Sequence, residues 1–156
     1  MSFDTDTMVI DCFVNVKKLR DDAIIPTRGS SLAAGYDLYS CTDGDIQIAP
    51  GGMVKVGTGL SINPPTGYFG AIFARSGMAT KQGLRPANCV GVCDEDYTGE
   101  YIVALYNDSD EVQNIPSGTR IAQLVFLPYI FVHFLEVKEL DETERGDNGF
   151  GSTGTT

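Results

Sequence analysis

The stretch MVKVGTGLSINPPTGYFGAIFA, residues 53–74, decides the fold class. Along residues 53–62, polar and apolar side chains alternate with period two, as they do in a β-strand with one buried face. The cluster NPPTG, residues 63–67, breaks this pattern with the residue types that form turns. Residues 67–74 then form a second apolar strand candidate. The stretch therefore predicts short strands joined by a turn.

Similar strand candidates, separated by further turn clusters, run along most of the chain. Only the segment SGMATKQG, residues 76–83, predicts a helix, of one or two turns, beginning at Ser76 and stopped by Gly83. About nine short strands predict an all-β fold, either a sandwich, a jelly roll or a closed barrel. The other candidates are VIDCFVNVKKL (9–19), GYDLYS (35–40), DIQIA (45–49), CVGVCD (89–94), GEYIVALYN (99–107), TRIAQLVFLPYI (119–130) and FVHFLEV (131–137).

The composition is that of one globular domain with an acidic surface. The 156 residues are 42% hydrophobic and include 11 basic and 21 acidic side chains, for a net charge of −10. A net charge of −10 is unlike the basic surface of a duplex-binding protein. An anionic substrate would be repelled, and its binding would need local Arg or Lys groups or a metal ion. No apolar stretch approaches the length of a membrane span. We therefore expect neither direct nucleic-acid binding nor a membrane partner.

The cysteines indicate a reducing compartment. Cys12, Cys41, Cys89 and Cys93 follow an acidic N-terminal stretch, where a signal peptide would be basic, so we expect reduced thiols. A zinc pair of Cys89 and Cys93 lacks further ligands, because His133 is the only histidine and is expected within a strand. The expected location is cytoplasmic, or nuclear for a eukaryotic or viral protein.

The segment GFGSTGTT, residues 149–156, matches the glycine fingerprint G-x-G-x-x-G. That fingerprint binds a dinucleotide only where a strand enters it and a helix leaves it. Only Thr155 and Thr156 follow here, so we do not expect a Rossmann site. Two interpretations remain from the residues alone: a solvated tail, or a flap that a phosphate ligand orders.

Two further stretches combine phosphate-binding groups with turn or helix signals. In ARSGMATKQG, Arg75 precedes the predicted helix, and Ser76 and Gly77 open it. These residues form either a phosphate-binding site or an ordinary helix cap. In GVCDEDYTGEY, the acids at 94–96 provide either a general base for a water or a charged hairpin tip.

Two stretches place polar residues within apolar strands. Asp37 lies in LAAGYDLYS, and we expect its carboxylate to be paired with an arginine such as Arg75. Arg120 and Gln123 interrupt the apolar run SGTRIAQLVF. Both are either solvent-facing alternates or members of a site.

Taken in order, five segments resemble the motifs of the trimeric dUTPases. The resemblance implies a distorted jelly-roll β-barrel with one short helix, assembled as a homotrimer. It also implies hydrolysis of dUTP to dUMP and pyrophosphate, which limits uracil incorporation into DNA and supplies dUMP for thymidylate synthesis. The segments are AAGYDLYS, RSGMATKQG, NCVGVCDEDYTGEY, GTRIAQLVF and ERGDNGFGSTG, from Ala33 to Gly154.

The resemblance assigns catalytic roles to Asp94, Asp37, Arg75 and Ser76, and substrate-binding roles to residues around them. Asp94 would activate the water that attacks the α-phosphorus. Arg75 and Ser76, with Gly77, would bind the phosphates, and Asp37 would support the arginine and the surrounding water network. Gln123 would hold an ordered water or a phosphate oxygen.

The resemblance also assigns the recognition of base and sugar. Tyr97 would pack on the deoxyribose and exclude a 2′-hydroxyl, while Asn88 and the hairpin backbone at Gly91 would bind uracil. Residues 1–144 would form the β domain, and residues 145–156 a flexible arm that closes over the site. The arm's contacts would come from Arg145, Phe150, Gly151, Ser152 and Thr153.

The implied cofactor is Mg²⁺, bound by the triphosphate and waters with no direct protein ligand, and with Asp37 contributing at most through a water. Three subunits would share each site, the arm coming from a different subunit than the uracil hairpin. The chain departs from the usual pattern in ways expected to alter rate and affinity rather than remove a catalytic group. These departures are Ala74, Cys93, Thr98, Thr119 and Asn148.

Two alternatives remain open at this stage. A dCTP deaminase of the same fold would carry a second serine after Arg-Ser, where this chain has Gly77, and a glutamate acting in deamination. A non-catalytic nucleotide-binding or regulatory homologue would be expected to lack Asp94 or the arm.

Overall fold

The structure is a computed structural model, which describes residues 12–147 and residue 149. Within this part the chain is built almost wholly from short antiparallel strands, with one helix between the seventh and eighth. The elements are β1 (Asn15–Lys18), β2 (Thr27–Arg28), β3 (Tyr36–Tyr39), β4 (Ile46–Ile48), β5 (Met53–Gly57), β6 (Leu60–Asn63), β7 (Tyr68–Phe73), α1 (Ser76–Gln82), β8 (Leu84–Pro86), β9 (Gly91–Cys93), β10 (Ile102–Asn107), β11 (Gln113–Ile115) and β12 (Arg120–Pro128).

The largest sheet has five strands in the order β2-β3-β12-β7-β9. Its middle strand, β12, is the longest, and it hydrogen-bonds to β3 on one side and to β7 on the other. The remaining strands form a sheet of order β5-β10-β8 and the two pairs β1-β6 and β11-β4. A stagger in the β3 pairing between Arg120 and Ala122 bends the start of β12, and one of the two groups of functional residues described below lies at this bend.

The core lies between the sheets and is formed by alternate residues of most strands. Its largest fully buried side chains are Tyr101, Leu38, Ile48, Leu60, Ile62, Leu84, Leu105, Ile115, Ile121, Leu124, Val56 and Val103. Period-two alternation in the sequence therefore corresponds to one buried face on each strand.

The single helix agrees with its sequence signals. It spans Ser76–Gln82 and ends at Gly83, whose φ of 66° is left-handed. A Cβ at Gly83 would lie 2.9 Å from the backbone nitrogen of Ser109, so both the backbone angle and the close approach require glycine. The predicted helix and its glycine stop are confirmed.

The all-β class with one short helix is confirmed, but one predicted strand is wrong. Residues 131–137 pair with no other strand in the described part of the chain. Their apolar side chains, such as Phe134 and Leu135, are exposed, and His133 packs against the Phe131 ring at 5.4 Å rather than within a strand. The alternating sequence suits a strand, yet no described edge of this chain pairs with it.

Three very short strands, β2, β8 and β11, escaped the sequence analysis because two or three residues are too few to show a period. The four sheets also do not join into one closed hydrogen-bonded barrel within residues 12–147. The observed fold is therefore all-β, and closure into a jelly-roll barrel stays a prediction.

All four cysteines are free, with Cys41 and Cys93 buried and Cys12 and Cys89 exposed. Among the described residues, no helix has the length and apolar character that crossing a membrane requires.

Two buried hydroxyls provide a test of this core. The Tyr101 hydroxyl has no nitrogen or oxygen partner within the described part of the chain and lies against the Cys93 thiol, whereas Thr58 Oγ1 donates to Tyr101 O at 2.7 Å and accepts from Leu60 N at 3.3 Å. We predict that Tyr101→Phe leaves the free energy of unfolding unchanged or raises it by up to about 1 kcal/mol, because it removes a buried hydroxyl whose only described polar neighbour is a weakly bonding sulfur. Thr58→Val, which removes two bonds, is expected to lower it by about 1–2 kcal/mol. Urea unfolding measures both, and a larger loss for Tyr101→Phe would contradict the assignment.

Candidate active site

At the bend of β12, one carboxylate is held between two guanidinium groups. Arg75 Nε donates to Asp37 Oδ1 at 2.7 Å, and Arg120 Nη1 donates to Asp37 Oδ2 at 3.2 Å. Arg75 Nη1 also donates to the backbone oxygen of Arg120 at 3.2 Å. We call Asp37, Arg75 and Arg120 the arginine cluster. The pairing of Asp37 with Arg75 that the sequence predicts is confirmed.

The arginine cluster carries an excess of positive charge in an otherwise acidic protein. Asp37 is mostly buried, with 13% of its side chain exposed, whereas Arg120 is about half exposed at 51%. Two cations face one anion, so the cluster retains one net positive charge near its open side. Guanidinium groups bind phosphate oxygens in a forked geometry, and this location suits a polyanion.

Gln123 lies beside the cluster because of strand register. It is opposite Asp37 on β3 and Phe73 on β7, and its Nε2 donates to Ala74 O at 2.9 Å. A Cβ at Gly35 would lie 2.6 Å from Gln123 Oε1, so a larger residue there would displace the end of this side chain. Gln123 thereby holds the backbone just before Arg75.

Ser76 and Gly77 open α1 next to the cluster and are exposed. Arg75 is the N-cap residue, but its side chain does not cap the helix because it is bonded to Asp37. A Cβ at Gly77 would meet no atom within 4 Å. The fold itself therefore does not require glycine at this position, and the space above it is open.

The second group of candidate residues surrounds the turn of residues 94–97, which we call the Asp94 loop. Tyr97 N donates to Asp94 O at 3.1 Å and closes this turn, and Asp94 is exposed. The Tyr97 hydroxyl donates to Glu100 O at 3.0 Å, and its ring lies so close over Gly99 that a Cβ there would be 2.5 Å from the hydroxyl oxygen. Gly99 and Glu100 thus fix the tyrosine ring.

The strand before this loop carries the candidates for base recognition. Asn88 is exposed in the turn before β9, and Gly91 is opposite Ile72 of β7. A Cβ at Gly91 would lie 3.1 Å from that of Ile72, which explains the small residue. Cys93 is buried, and burial raises the pKa of its thiol to about 11, so it is neutral at pH 7.

The structure does not bring Asp94 and the arginine cluster together within one chain. Cys93 is opposite Gly70, so Asp94 follows at the Phe69 end of β7, whereas Arg75 follows the opposite end of that strand. Asp37 is three strands away from β9 across the sheet. With about 3.3 Å per residue and about 4.8 Å between strands, the two carboxylates lie on the order of 20 Å apart.

Of the predicted arm contacts, Arg145 is described and exposed, whereas Phe150, Gly151, Ser152 and Thr153 lie outside the described residues. Arg120 was noted in the sequence but given no role, since a charged residue in an apolar strand is often only solvent-facing. The sequence analysis does not single out Gly35. The signal that could identify it is its position two residues before Asp37 in the motif AAGYDLYS.

A comparison with known protein families identifies the family of this chain. The family model described as dUTPase matches residues 21–154. The chain belongs to the dUTPase family. The segments that resemble the family's motifs include the residues of the arginine cluster and of the Asp94 loop, whose roles stay predictions.

Individual relatives are similar over almost their whole length. The chain is 48% identical over 139 residues to the deoxyuridine 5'-triphosphate nucleotidohydrolase of Hydrogenobaculum sp. (strain Y04AAS1), covering 89% of this chain and 96% of the relative. It is 46% identical over 142 residues to the enzyme of the same name from Arabidopsis thaliana, covering 91% and 83% respectively.

Solved dUTPase structures share the fold. A mutant of the Staphylococcus bacteriophage 80alpha dUTPase with dUpNHpp has a TM-score of 0.83 at 27% identity, over 92% of this chain and 99% of that one. A second structure of that phage enzyme, also with dUpNHpp, has a TM-score of 0.80 at 27% identity, with the same coverage.

We predict that loss of the carboxylate of the arginine cluster destabilises the fold more than loss of the carboxylate of an exposed ion pair. We expect Asp37→Asn to lower the free energy of unfolding by about 1–2 kcal/mol, because two partly buried guanidinium groups lose their shared anion. The control is Asp43→Asn, since Asp43 accepts from Arg20 at 2.8 Å but is 89% exposed. Its expected loss is below about 0.5 kcal/mol. Equal losses in urea unfolding would show that burial of the cluster is unimportant.

Proposed function

We propose that this chain hydrolyses dUTP to dUMP and pyrophosphate. The observation that carries the proposal is the arginine cluster, a seat for phosphate in a protein of net charge −10. The relatives named deoxyuridine 5'-triphosphate nucleotidohydrolase, at 48% and 46% identity, support the nucleotide and the reaction. The neighbouring structures with dUpNHpp support binding of a deoxyuridine nucleotide.

In the proposed mechanism Asp94 is the general base. Its exposed carboxylate accepts a proton from a water as that water attacks the α-phosphorus, and pyrophosphate leaves from the opposite side. Arg75 and Ser76 bind the oxygens on which leaving-group charge develops, and Asp37 keeps the Arg75 guanidinium oriented. Gln123 holds a water or a phosphate oxygen at the edge of the seat.

Selectivity would come from the exposed hairpin around the Asp94 loop. The Tyr97 ring, fixed by Gly99 and Glu100, would pack on the deoxyribose and leave no room for a 2′-hydroxyl. Asn88 and the backbone at Gly91 would hydrogen-bond to uracil. A site that hydrogen-bonds its substrate leaves buried groups unpaired when the wrong base enters, which favours strong discrimination.

We further propose that each site is shared between chains of a homotrimer. An attacking water must lie about 3–3.5 Å from phosphorus and within about 3 Å of its base. A separation on the order of 20 Å between Asp94 and Asp37 leaves no single-chain site in which Asp94 and Arg75 reach the same phosphate. The exposed apolar run of residues 129–140 also supports assembly, because monomers seldom expose such a long patch. The jelly-roll barrel belongs to the same proposal.

Residues 145–156 are proposed to be an arm that closes over the nucleotide, after a β domain of residues 1–144. Arg145 would meet the γ-phosphate, Phe150 would stack on uracil, and residues 151–153 would cap the phosphates. Closure of such a segment excludes water from the site, and its reopening releases the product.

The proposed cofactor is Mg²⁺ carried by the substrate. No group of three or more His, Cys, Asp or Glu side chains within the described residues is arranged to hold a metal ion. Both oxygens of Asp37 already accept from arginines, so that carboxylate suits contact through a water. The donor set therefore fits an ion ligated mainly by triphosphate oxygens and waters, where it would offset substrate charge. A cytoplasmic or nuclear location is part of the proposal, supported by four free cysteines.

The function is tested by pyrophosphate release from dUTP, UTP, dTTP and dCTP, each with Mg²⁺ and with EDTA. We expect release from dUTP alone, and only with Mg²⁺. Deamination of dCTP without pyrophosphate release from dUTP would instead favour the deaminase alternative. Inactivity on all four nucleotides, together with dUpNHpp binding, would favour a non-catalytic homologue.

The shared site is tested by mixing two inactive variants. Asp94→Asn and Arg75→Ala are each expected to lose at least about a hundredfold in kcat, since one lacks the base and the other a phosphate contact. Co-expressed in equal amounts, they should regain about a quarter of wild-type activity, because random trimers of chains pair an intact Asp94 with an intact Arg75 at that frequency.

The matched control pairs Arg75→Ala with Asp37→Asn. Both changes lie in the arginine cluster of one chain, so every cluster in the mixture is damaged and no gain over the parent variants is expected. If the Asp94→Asn and Arg75→Ala mixture also stayed inactive, the proposal of sites shared between chains would fail.

A further inference from the structure

The carboxylate of Glu95, next to the base, is bonded to two elements outside its own loop. Glu95 Oε2 accepts from the backbone nitrogen of Gly67 at 2.8 Å and from the Tyr129 hydroxyl at 2.7 Å. Gly67 is in the turn between β6 and β7, and Tyr129 is the first residue after β12. One carboxylate thereby joins the Asp94 loop, this turn and the start of the chain that leads to the arm.

One backbone bond and one side-chain bond support the same junction. Tyr129 N donates to Gly67 O at 3.1 Å, and Asn63 Nδ2 donates to Glu95 O at 3.0 Å. The Gly67 N–H, and after it the Tyr129 hydroxyl, hold the pKa of Glu95 below its usual range. Glu95 is therefore ionised at neutral pH and accepts both bonds.

An open cleft of about 700 Å³ lies between the Asp94 loop, the β6–β7 turn and the chain after β12, and its lining includes Asp94, Glu95, Tyr129 and Phe131. The bonds from Gly67 and Tyr129 to Glu95 connect the two sides of this cleft. Tyr97, by contrast, is held from the other side by Glu100 and Gly99, independently of Glu95.

We propose that Glu95 is a positioning residue for the reaction. Its bonds to Gly67 and Tyr129 orient the neighbouring Asp94, and they connect the base to the chain that follows β12. The inference rests on the proposed function, in which Asp94 activates the water. Because sugar and base contacts do not depend on Glu95, its loss should slow turnover without weakening nucleotide binding. Glu95 does not touch the reacting atoms.

The test compares Glu95→Ala, Glu95→Gln and Tyr129→Phe. We expect Glu95→Ala to lower kcat for dUTP about tenfold or more, by misplacing the base, with KM changed less than about threefold. Tyr129→Phe keeps the ring and should lower kcat severalfold, and Glu95→Gln, which keeps an acceptor oxygen, should lie between wild type and Glu95→Ala. Asp110→Asn is the control, at an exposed acid outside the arginine cluster and the Asp94 loop, and should retain wild-type kcat.

Two measurements separate positioning from loss of folded protein. Calorimetric titration with dUpNHpp should give wild-type affinity for every variant, because the sugar and base contacts do not depend on Glu95. It should also give wild-type stoichiometry, because only unfolded chains would reduce the number of sites. The double variant Glu95→Ala, Tyr129→Phe should turn over like Glu95→Ala alone. The bond that Tyr129→Phe removes, from the Tyr129 hydroxyl to Glu95, is already absent in Glu95→Ala.

The outcomes distinguish the two proposals. Wild-type kcat in Glu95→Ala, additive effects in the double variant, or a loss of kcat matched by a loss of dUpNHpp sites would each overturn the positioning role while the enzyme remains a dUTPase. A wild-type protein that releases no pyrophosphate from dUTP would overturn the proposed function and this inference with it.

Discussion

The arrangement depends on the double pairing of β12. This strand hydrogen-bonds to β3 on one edge and to β7 on the other, so its register brings Asp37, Gln123 and Phe73 into one row. A slip of one residue would turn each side chain to the opposite face and separate Asp37 from Arg75. Burial of Ala122 and Leu124, which share one face of the strand, favours that register, because a slip would turn both away from that face. The apolar core therefore sets the positions of the charged groups.

The electrostatic problem for this protein is to bind a polyanion despite a net charge of −10. In the proposed function the arginine cluster would resolve it locally, because Asp37 orients two guanidinium groups without cancelling both charges. The buried part of the cluster keeps the charges close in a region of lower dielectric than bulk water. The dispersed acids elsewhere repel a nucleotide only weakly beyond a Debye length of about 8 Å.

The geometry is also the basis for the proposal that neighbouring chains share the site. The sheet that aligns the arginine cluster carries the Asp94 loop at its far corner, and a rigid sheet cannot fold these corners together. Assembly resolves this separation in the proposed trimer. The exposed apolar residues after β12, including Phe131, Phe134 and Leu135, lie in the chain that connects the core to the arm. Glu95 contacts the first residue of that connection, Tyr129.

The sequence by itself determined the all-β class, the helix with its Gly83 stop, and the pairing of Asp37 with an arginine. These features depend on local patterns: alternation, a left-handed glycine and a carboxylate among apolar residues. It also carried five ordered motifs, from which the family followed. The roles of single residues in turnover stay predictions, as do the magnesium ion and the arm.

Only the tertiary structure decided which of these residues are neighbours. Sequence order does not show that Arg120 shares Asp37 with Arg75, that Gln123 packs against Gly35, or that Asp94 is far from all of them. It also does not show that residues 131–137, despite their alternation, lack a partner strand in the described chain. The physical reason is that strand pairing joins residues far apart in sequence, and alternation gives the face of a strand but not its neighbour.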